Sequence, residues 1–266
     1  MKGWLVGLAL TVALAASGVG LWVTWDSTQP STADTIAARP DLLVTPTTSG
    51  MGPATATSIP PAPACTTGDK PVAGDPETDW ATTVVDTLHS LAESYAPSDL
   101  EEVTEAGFDS RDQVRAVVID DLRELRAAAE ANGTPIVVIS GYRSFSYQQE
   151  LFQRRVDEVG DAEAALRTAR PGHSEHQLGT AIDVLEPGVG ELTTDFATTP
   201  AGTWLAEHAY EFGFVTSYPD GARDRTCYGY EPWHVRYVGR DVAGQIHESD
   251  VTAREWMLAA RGTDAG

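Results

Sequence analysis

The side chains best suited to chemistry lie in two separate stretches, and the first of these is PGHSEHQLGTAIDV (Pro171–Val184). It contains His173, His176 and, within an apolar run, Asp183. A buried carboxylate costs several kcal/mol unless it is paired, hydrogen-bonded or bound to a metal. Taken by itself, Asp183 would most simply be a salt-bridge partner or a turn-capping residue.

The second stretch is YEPWHVRY (Tyr230–Tyr237), with Glu231 and His234 on either side of a Pro-Trp step. Imidazole and carboxylate groups are normal zinc ligands, and a catalytic zinc keeps three protein ligands and one open position. One histidine of the first stretch, Asp183 and His234 could form such a set. Glu231 would then remain as the general base for a water whose pKa the zinc lowers. Spacing alone leaves the question open, because scattered His and Asp residues have no signature comparable to H-E-x-x-H.

Three blocks of sequence resemble the D-alanyl-D-alanine carboxypeptidase (VanY-type) zinc peptidases. They are SGYRSFSYQ (Ser140–Gln148), PGHSEHQLGTAIDV (Pro171–Val184) and YEPWHVRYVG (Tyr230–Gly239), in that family's order. Weaker similarity extends the likeness over most of Val84–Gly239. Three ordered blocks are a specific signal, whereas each block alone would be a weak one.

The resemblance implies a role for each residue that matches a family motif. It makes His176, Asp183 and His234 the zinc ligands and Glu231 the catalytic base. Arg143 matches an arginine that engages the substrate, either at its terminal carboxylate or at the developing oxyanion. A guanidinium group suits both tasks.

Other positions carry less definite implications. Gln148 and Ser174 match polar, substrate-binding positions that line the cleft, and His173 occupies a variable slot that should lie outside the metal shell. Two departures from the family pattern are Ser217, where such proteins often have arginine, and Cys227, where they commonly have glycine.

The function that the resemblance implies is that of a zinc metallopeptidase, a D,D-carboxypeptidase. It would remove the C-terminal D-alanine from peptidoglycan stem peptides by Glu-assisted attack of a zinc-bound water. Alternatives on the same fold are an L,D-carboxypeptidase and an L-alanyl-D-glutamate endopeptidase. A non-catalytic, zinc-containing wall-binding module is a further alternative, but a structural site has no need of the base Glu231. We expect a monomer.

The N-terminus predicts export of the remainder of the chain. Residues 1–25 read as a transmembrane anchor, because no charge lies between Gly3 and Trp25 and the run could span a hydrocarbon core of ~30 Å. Ala13–Ala15 resembles a signal cleavage site, so a cleaved signal peptide is the alternative. Positive charge only at the start predicts a single-pass membrane protein with an extracellular catalytic domain, or a secreted protein if the segment is cleaved.

Composition divides the rest into a linker and a domain. Residues 26–64 are dominated by Thr, Ala, Pro and Ser without an aromatic residue, which predicts a disordered linker. Residues 65–266 form the predicted carboxypeptidase domain and carry nearly all of the net charge of -21, which argues against nucleic acid as a partner. In an exported domain the two cysteines, Cys65 and Cys227, predict a disulfide.

A helix is predicted ahead of the first block from the spacing of its apolar residues. Ser110 and Gln113 form a capping-box pattern at its start, and Gly133 is a stop signal. The residues expected on its buried face are Val114, Val117, Val118, Leu122 and Leu125.

The remaining elements are predicted more coarsely. A helix is expected from about Ser146 to Val159, another after Pro200, and a short one near Val251–Ala260; the first should bury Leu151, Phe152, Val156 and Val159. Strands are expected at TPIVVIS, TAIDVL and PWHVRYVG. Helices and short strands without βαβ alternation predict an α+β domain with a small mixed or antiparallel sheet flanked by helices. The resemblance implies a hedgehog/DD-peptidase-like version of it.

Overall fold

Short strands and helices alternate irregularly through residues 64–262, which are the residues that the computed structural model describes. The strands are β1 (Lys70–Pro71), β2 (His89–Ser90), β3 (Leu100–Glu102), β4 (Gln113–Arg115), β5 (Val137–Ser140), β6 (Ala181–Leu185), β7 (Phe214–Thr216) and β8 (His234–Tyr237). The helices are α1 (Ala116–Ala131), α2 (Phe145–Val159), α3 (Asp161–Arg167), α4 (Pro200–His208), α5 (Arg223–Thr226), α6 (Arg240–His247) and α7 (Ala253–Ala260). The predicted α+β class is confirmed.

Four of the strands form a central sheet in the order β5-β6-β8-β7, and every neighbouring pair is antiparallel. Strand β6 is buried along its whole length, as its nearly continuous apolar sequence predicts. In the register between β6 and β8, Asp183 lies directly opposite His234. The predicted strands at TAIDVL and PWHVRYVG are therefore neighbours, and their pairing places two of the candidate metal ligands side by side.

The first predicted helix exists but begins later than the capping-box pattern suggests. Gln113–Arg115 form strand β4, which pairs with β3, and α1 starts only at Ala116. Ser110 bonds the side chain of Asp112 instead of capping the helix. The capping-box prediction is wrong because pairing with a distant strand satisfies this backbone better than a local turn. Val117 is also 40% exposed, contrary to prediction.

Helix α2 spans the predicted residues, but its apolar side chains are less buried than predicted. Ser144 caps the helix by accepting a hydrogen bond from the backbone N–H of Tyr147. Gln148 is its buried residue, whereas Val159 is 42% exposed. Leu151 lines the large cavity of the molecule. One face of α2 therefore borders open space and not a core.

The main core lies between the sheet, α1 and α4. It contains, among others, Val118, Leu122 and Leu125 of α1 and Trp204 and Leu205 of α4. A second cluster packs α6 and α7 against the sheet edge. Burial of these side chains supplies the stabilisation that holds the sheet in place.

A buried carboxylate ties the segment before β2 to α7. One oxygen of Asp86 accepts hydrogen bonds from the backbone N–H of His89 (2.7 Å) and from its ring (2.9 Å), and the other accepts from Nε of Arg254 (2.7 Å). Burial by itself would raise the pKa of Asp86, but His89 and Arg254 hold it well below its usual range. Asp86 is therefore ionised in the folded protein at neutral pH.

The predicted disulfide is present between Cys65 and Cys227, with a Cα–Cα distance of 5.3 Å. Cys227 has a left-handed backbone, with φ of 74°. Such a φ favours glycine, the residue that the resemblance in sequence leads one to expect here. The bridge joins the start of the described chain to the loop that precedes β8.

The predicted anchor (residues 1–25) and nearly all of the predicted linker (residues 26–64) lie outside the described residues. Between residues 64 and 262, the structure contains no helix with both the length and the apolarity needed to cross a membrane.

Candidate metal centre and catalytic cleft

Three predicted ligands converge at one point. His176 lies on a 3-10 turn (Glu175–Leu178), Asp183 on β6 and His234 on β8. One ligand atom from each lies within 4.8 Å of the other two. Nε2 of His176 is 3.2 Å from Nδ1 of His234, and Oδ1 of Asp183 is 3.3 Å and 3.2 Å from these two nitrogens. All three side chains are buried.

Local structure explains how His176 reaches the sheet. The 3-10 turn that carries it ends at Gly179, whose φ is 72°. A Cβ atom at this glycine would lie only 3.0–3.1 Å from side chains of Pro97, Leu100 and Arg115. Both the positive φ and the lack of space for a Cβ atom therefore require glycine here. The sharp turn at this glycine leads directly into β6.

Both histidines are held in a defined tautomer. Nδ1 of His176 lies 2.7 Å from the carbonyl oxygen of Gly141, and Nε2 of His234 lies 2.9 Å from a carboxylate oxygen of Glu175. Because both partners are acceptors, each of these nitrogens carries the proton and donates it. The remaining nitrogens, Nε2 of His176 and Nδ1 of His234, keep their lone pairs, which converge with Oδ1 of Asp183 on one point.

This donor set fits a zinc ion. Two imidazole lone pairs and a carboxylate oxygen directed at one point repel each other unless a cation lies between them, and two nitrogens with one oxygen are a known catalytic zinc set. Burial by itself would raise the pKa of Asp183, but the positive charge of Arg143 beside it helps to hold the pKa well below its usual range. Asp183 is therefore anionic at neutral pH, as a metal ligand would need to be.

Glu231 lies beside this set on the side of the cleft. One of its carboxylate oxygens is 3.9 Å from Nδ1 of His234, and its side chain is 23% exposed. Its backbone N–H donates to the carbonyl of Tyr218, and its own carbonyl accepts from the N–H of His234. Burial raises its pKa to about 7.

Arg143 also reaches the metal ligands. Its Nη2 donates to Oδ2 of Asp183 (2.5 Å) and lies 2.9 Å from Nε2 of His176. Its Nε donates to the hydroxyl of Ser140 at 2.9 Å. Oδ1 of Asp183 thus lies next to the two histidines, and its Oδ2 accepts from the guanidinium. The arginine is fixed from two sides, with its side chain 16% exposed.

The two predicted polar positions of the cleft are buried beside Arg143. Nε2 of Gln148 donates to the carbonyl of Ala169 (2.8 Å). Oε1 of Gln148 lies 3.5 Å from Nη1 of Arg143. Ser174 is 4% exposed and borders the same cavity. Gln148 is thus placed to support the arginine.

A cavity of about 1010 Å³ opens over the metal ligands. All of the predicted site residues line it: Arg143, Gln148, Ser174, His176, Asp183, Glu231 and His234. One wall comes from α2 and α3, and another from the Tyr228–His234 segment. Its size exceeds what a single amino acid would fill, so it can accept an extended peptide.

His173 lies outside the metal set, as predicted. Its Nδ1 is 2.7 Å from the carbonyl oxygen of Asp86, and its Nε2 is 3.1 Å from a carboxylate oxygen of Asp69. The buried imidazole links the first described segment of the chain to the site turn.

Sequence reasoning missed two buried, charged neighbours of the site, Glu175 and Arg236. Burial by itself would raise the pKa of Glu175, but the charge of Arg236 and the hydrogen bond of His234 lower it to about 2. Both could have been found from the sequence, because each is a charged residue in an otherwise buried segment. Glu175 directly precedes His176, and Arg236 lies two residues after His234. Ser217 lies in the same region and lines a small cavity with both.

Comparison with known proteins agrees with this geometry. The family model for D-alanyl-D-alanine carboxypeptidase, VanY, matches residues 111–240. A D-alanyl-D-alanine carboxypeptidase of Enterococcus faecalis is 31% identical over 225 residues, which are 76% of this chain and 80% of that protein. The chain belongs to the VanY family. A putative carboxypeptidase of Bacillus subtilis, YodJ, is 37% identical over 179 residues, covering 65% of this chain and 66% of that protein.

Solved structures of the VanY fold are similar as well. The LdcB LD-carboxypeptidase is 35% identical with a TM-score of 0.60, covering 66% of this chain and 84% of that chain. A mutant of the vancomycin-resistance D,D-pentapeptidase VanY in complex with Zn(II) is 30% identical with a TM-score of 0.58. The match covers 67% of this chain and 99% of that chain. Family membership and the His/Asp/His set confirm the predicted metallopeptidase and its zinc cofactor.

Proposed function

We propose that this VanY-family protein is a D,D-carboxypeptidase that removes the C-terminal D-alanine from peptidoglycan stem peptides. The observation that carries the proposal is the convergence of His176, Asp183 and His234 in the floor of a peptide-sized cleft, with Glu231 beside them. A set built only to hold a structural metal would be closed by a fourth protein ligand. Among the described residues this set has three protein ligands, and all three line the cleft.

The metal would be held by Nε2 of His176, a carboxylate oxygen of Asp183 and Nδ1 of His234. When bound, zinc supplies Lewis-acid chemistry, namely activation of water and polarisation of the scissile carbonyl. The buried hydrogen bonds of both histidines hold their rings in place for this task.

Glu231 is the proposed general base. Its carboxylate faces the cleft next to His234, so it can accept a proton from the attacking water and deliver it to the leaving amine. The backbone N–H of Glu231 donates to the carbonyl of Tyr218, and its carbonyl accepts from the N–H of His234, so the loop is anchored on both sides of the Pro-Trp step.

Arg143 is the proposed electrophilic group for the substrate. Held by Asp183 and Ser140, its guanidinium keeps further N–H donors for a ligand in the cleft. A fixed cation there can orient the terminal carboxylate or stabilise negative charge on the carbonyl oxygen. The side-chain oxygen of Gln148, next to Nη1 of Arg143, helps to hold the guanidinium in this place. Ser174 offers the peptide a further polar group in the cleft.

A second candidate is an L,D-carboxypeptidase, because the LdcB LD-carboxypeptidase is as similar in sequence and fold as the D,D-enzymes. Digestion of defined tri-, tetra- and pentapeptide stems separates the candidates. Release of D-alanine from the pentapeptide, blocked by a chelator and restored by zinc, is the expected result. Cleavage of the tetrapeptide alone would favour the L,D-enzyme, an internal fragment would favour the L-alanyl-D-glutamate endopeptidase, and no cleavage would overturn the proposal.

We further propose that the N-terminal segment places a monomeric catalytic domain outside the cell membrane, where stem peptides occur. The disulfide between Cys65 and Cys227 suits an oxidising compartment. Cell fractionation with external protease tests the location, and a domain resistant to protease in intact cells would contradict it.

A further inference from the structure

Glu175 contacts the metal ligand His234 on the side away from the cleft. We propose that Glu175, held in turn by Arg236, is a positioning residue that sets the tautomer and ring orientation of His234 and thereby the zinc affinity of the site. The inference rests on the proposed function for its metal, and it extends the contact between Glu175 and His234 from ring orientation to the affinity of the site for zinc.

The contact is short and completely enclosed. Oε2 of Glu175 is 2.9 Å from Nε2 of His234, and Oε1 accepts from Nη1 of Arg236 at 2.8 Å. The relative exposures of Glu175, His234 and Arg236 are 7%, 3% and 0%. Both carboxylate oxygens are thus occupied within the protein, so Glu175 is not placed to contact substrate.

Chain geometry makes this arrangement rigid. Residues 234 and 236 of β8 project to the same face, because side chains alternate along a strand. Nη2 of Arg236 donates to the carbonyl oxygens of Trp80 and Thr83, both at 2.7 Å. Glu175 also directly precedes His176. The same turn therefore carries the proposed ligand His176 and the hydrogen-bond partner of the proposed ligand His234.

The chemistry gives the contact a specific effect. A carboxylate that accepts from Nε2–H leaves Nδ1 as the only lone pair of His234, and it raises the basicity of that nitrogen. An amide in place of the carboxylate keeps the shape but removes the negative charge. It would also leave the buried guanidinium of Arg236 without its counter-charge.

The test compares zinc binding in Glu175→Gln with wild type, by competition with a chromogenic chelator. Loss of such a partner lowers metal affinity by about 10–100-fold, and this is the result expected. Glu255→Gln is the matched control, because Glu255 is 5% exposed and paired with Arg225 but lies in α7, away from the ligands. It should lose thermal stability while its zinc affinity stays at the wild-type value.

Nitrogen-15 NMR of the zinc-loaded wild type gives an independent readout. For His234 we expect a protonated Nε2 and a metal-bound Nδ1. An unprotonated Nε2 would overturn the inference even if Glu175→Gln fails to fold. Unchanged zinc affinity in a folded Glu175→Gln would overturn it as well. These measurements need no peptide, so absence of stem cleavage would refute the proposed function and not the positioning role.

Discussion

Replacement of Glu231 by glutamine tests the proposed chemistry most directly. Glutamine has nearly the same shape but cannot accept the proton of the attacking water. Glu231 lies 3.9 Å from the metal-facing nitrogen of His234 and is not one of the three converging ligands. The variant should therefore keep its zinc and its fold, and lose the step that depends on the base.

The size of the loss follows from the role. General acid–base catalysis contributes about 10²–10⁴-fold to the rate, which corresponds to about 2.7–5.4 kcal/mol of barrier at 1.36 kcal/mol per factor of ten. We expect kcat for D-alanine release from a pentapeptide stem to fall by this factor. Because Glu231 accepts the water's proton and is not needed to hold the peptide, KM should change much less.

The assay measures D-alanine release and zinc content on the same samples. Glu130→Gln is a suitable control, because Glu130 forms an exposed i,i+4 ion pair with Arg126 on α1, where little effect is expected. Wild-type kcat in the zinc-loaded Glu231→Gln variant would refute the assignment of the base. Loss of zinc together with activity would instead show that Glu231 belongs to the metal set.

Three further predictions concern the ligands and the frame that holds them. His176→Ala should lose bound zinc and activity together, whereas His173→Ala should keep its zinc by elemental analysis; the reverse pattern would exchange their roles. Asp86, whose folded pKa is depressed, contributes stability above its unfolded pKa of about 4 that is lost as pH falls through the folded value. Asp86→Asn should therefore lose less stability than wild type between pH 7 and pH 3 in urea unfolding, and equal losses would contradict this. With the bridge removed by Cys65→Ala, Cys227→Gly should be more stable than Cys227→Ala by about 1 kcal/mol, because φ at this position is 74°; equal unfolding midpoints would refute it.

Much of the fold was predictable wherever local pattern and burial agree. The run that becomes β5 and the TAIDVL strand are β-branched and apolar, and both lie in the central sheet together with the strand after Glu231. The predicted start of α1 was wrong, because residues 113–115 pair with β3. A distant strand partner of this kind leaves no local sequence pattern. The burial predicted for α2 was wrong, because Leu151 lines the cleft and Val159 is exposed at the end of the helix.

For the site, residue types in three recognisable blocks were enough to predict the ligands, the base and the arginine. How these residues meet is visible only in the folded chain: Asp183 lies opposite His234 across two strands, Gly141 and Glu175 are the acceptors for the two imidazoles, and Arg236 pairs with Glu175. Strand register and buried hydrogen bonds join residues that are far apart in the chain. Their partners are selected by packing in three dimensions and leave no periodic signal in the sequence.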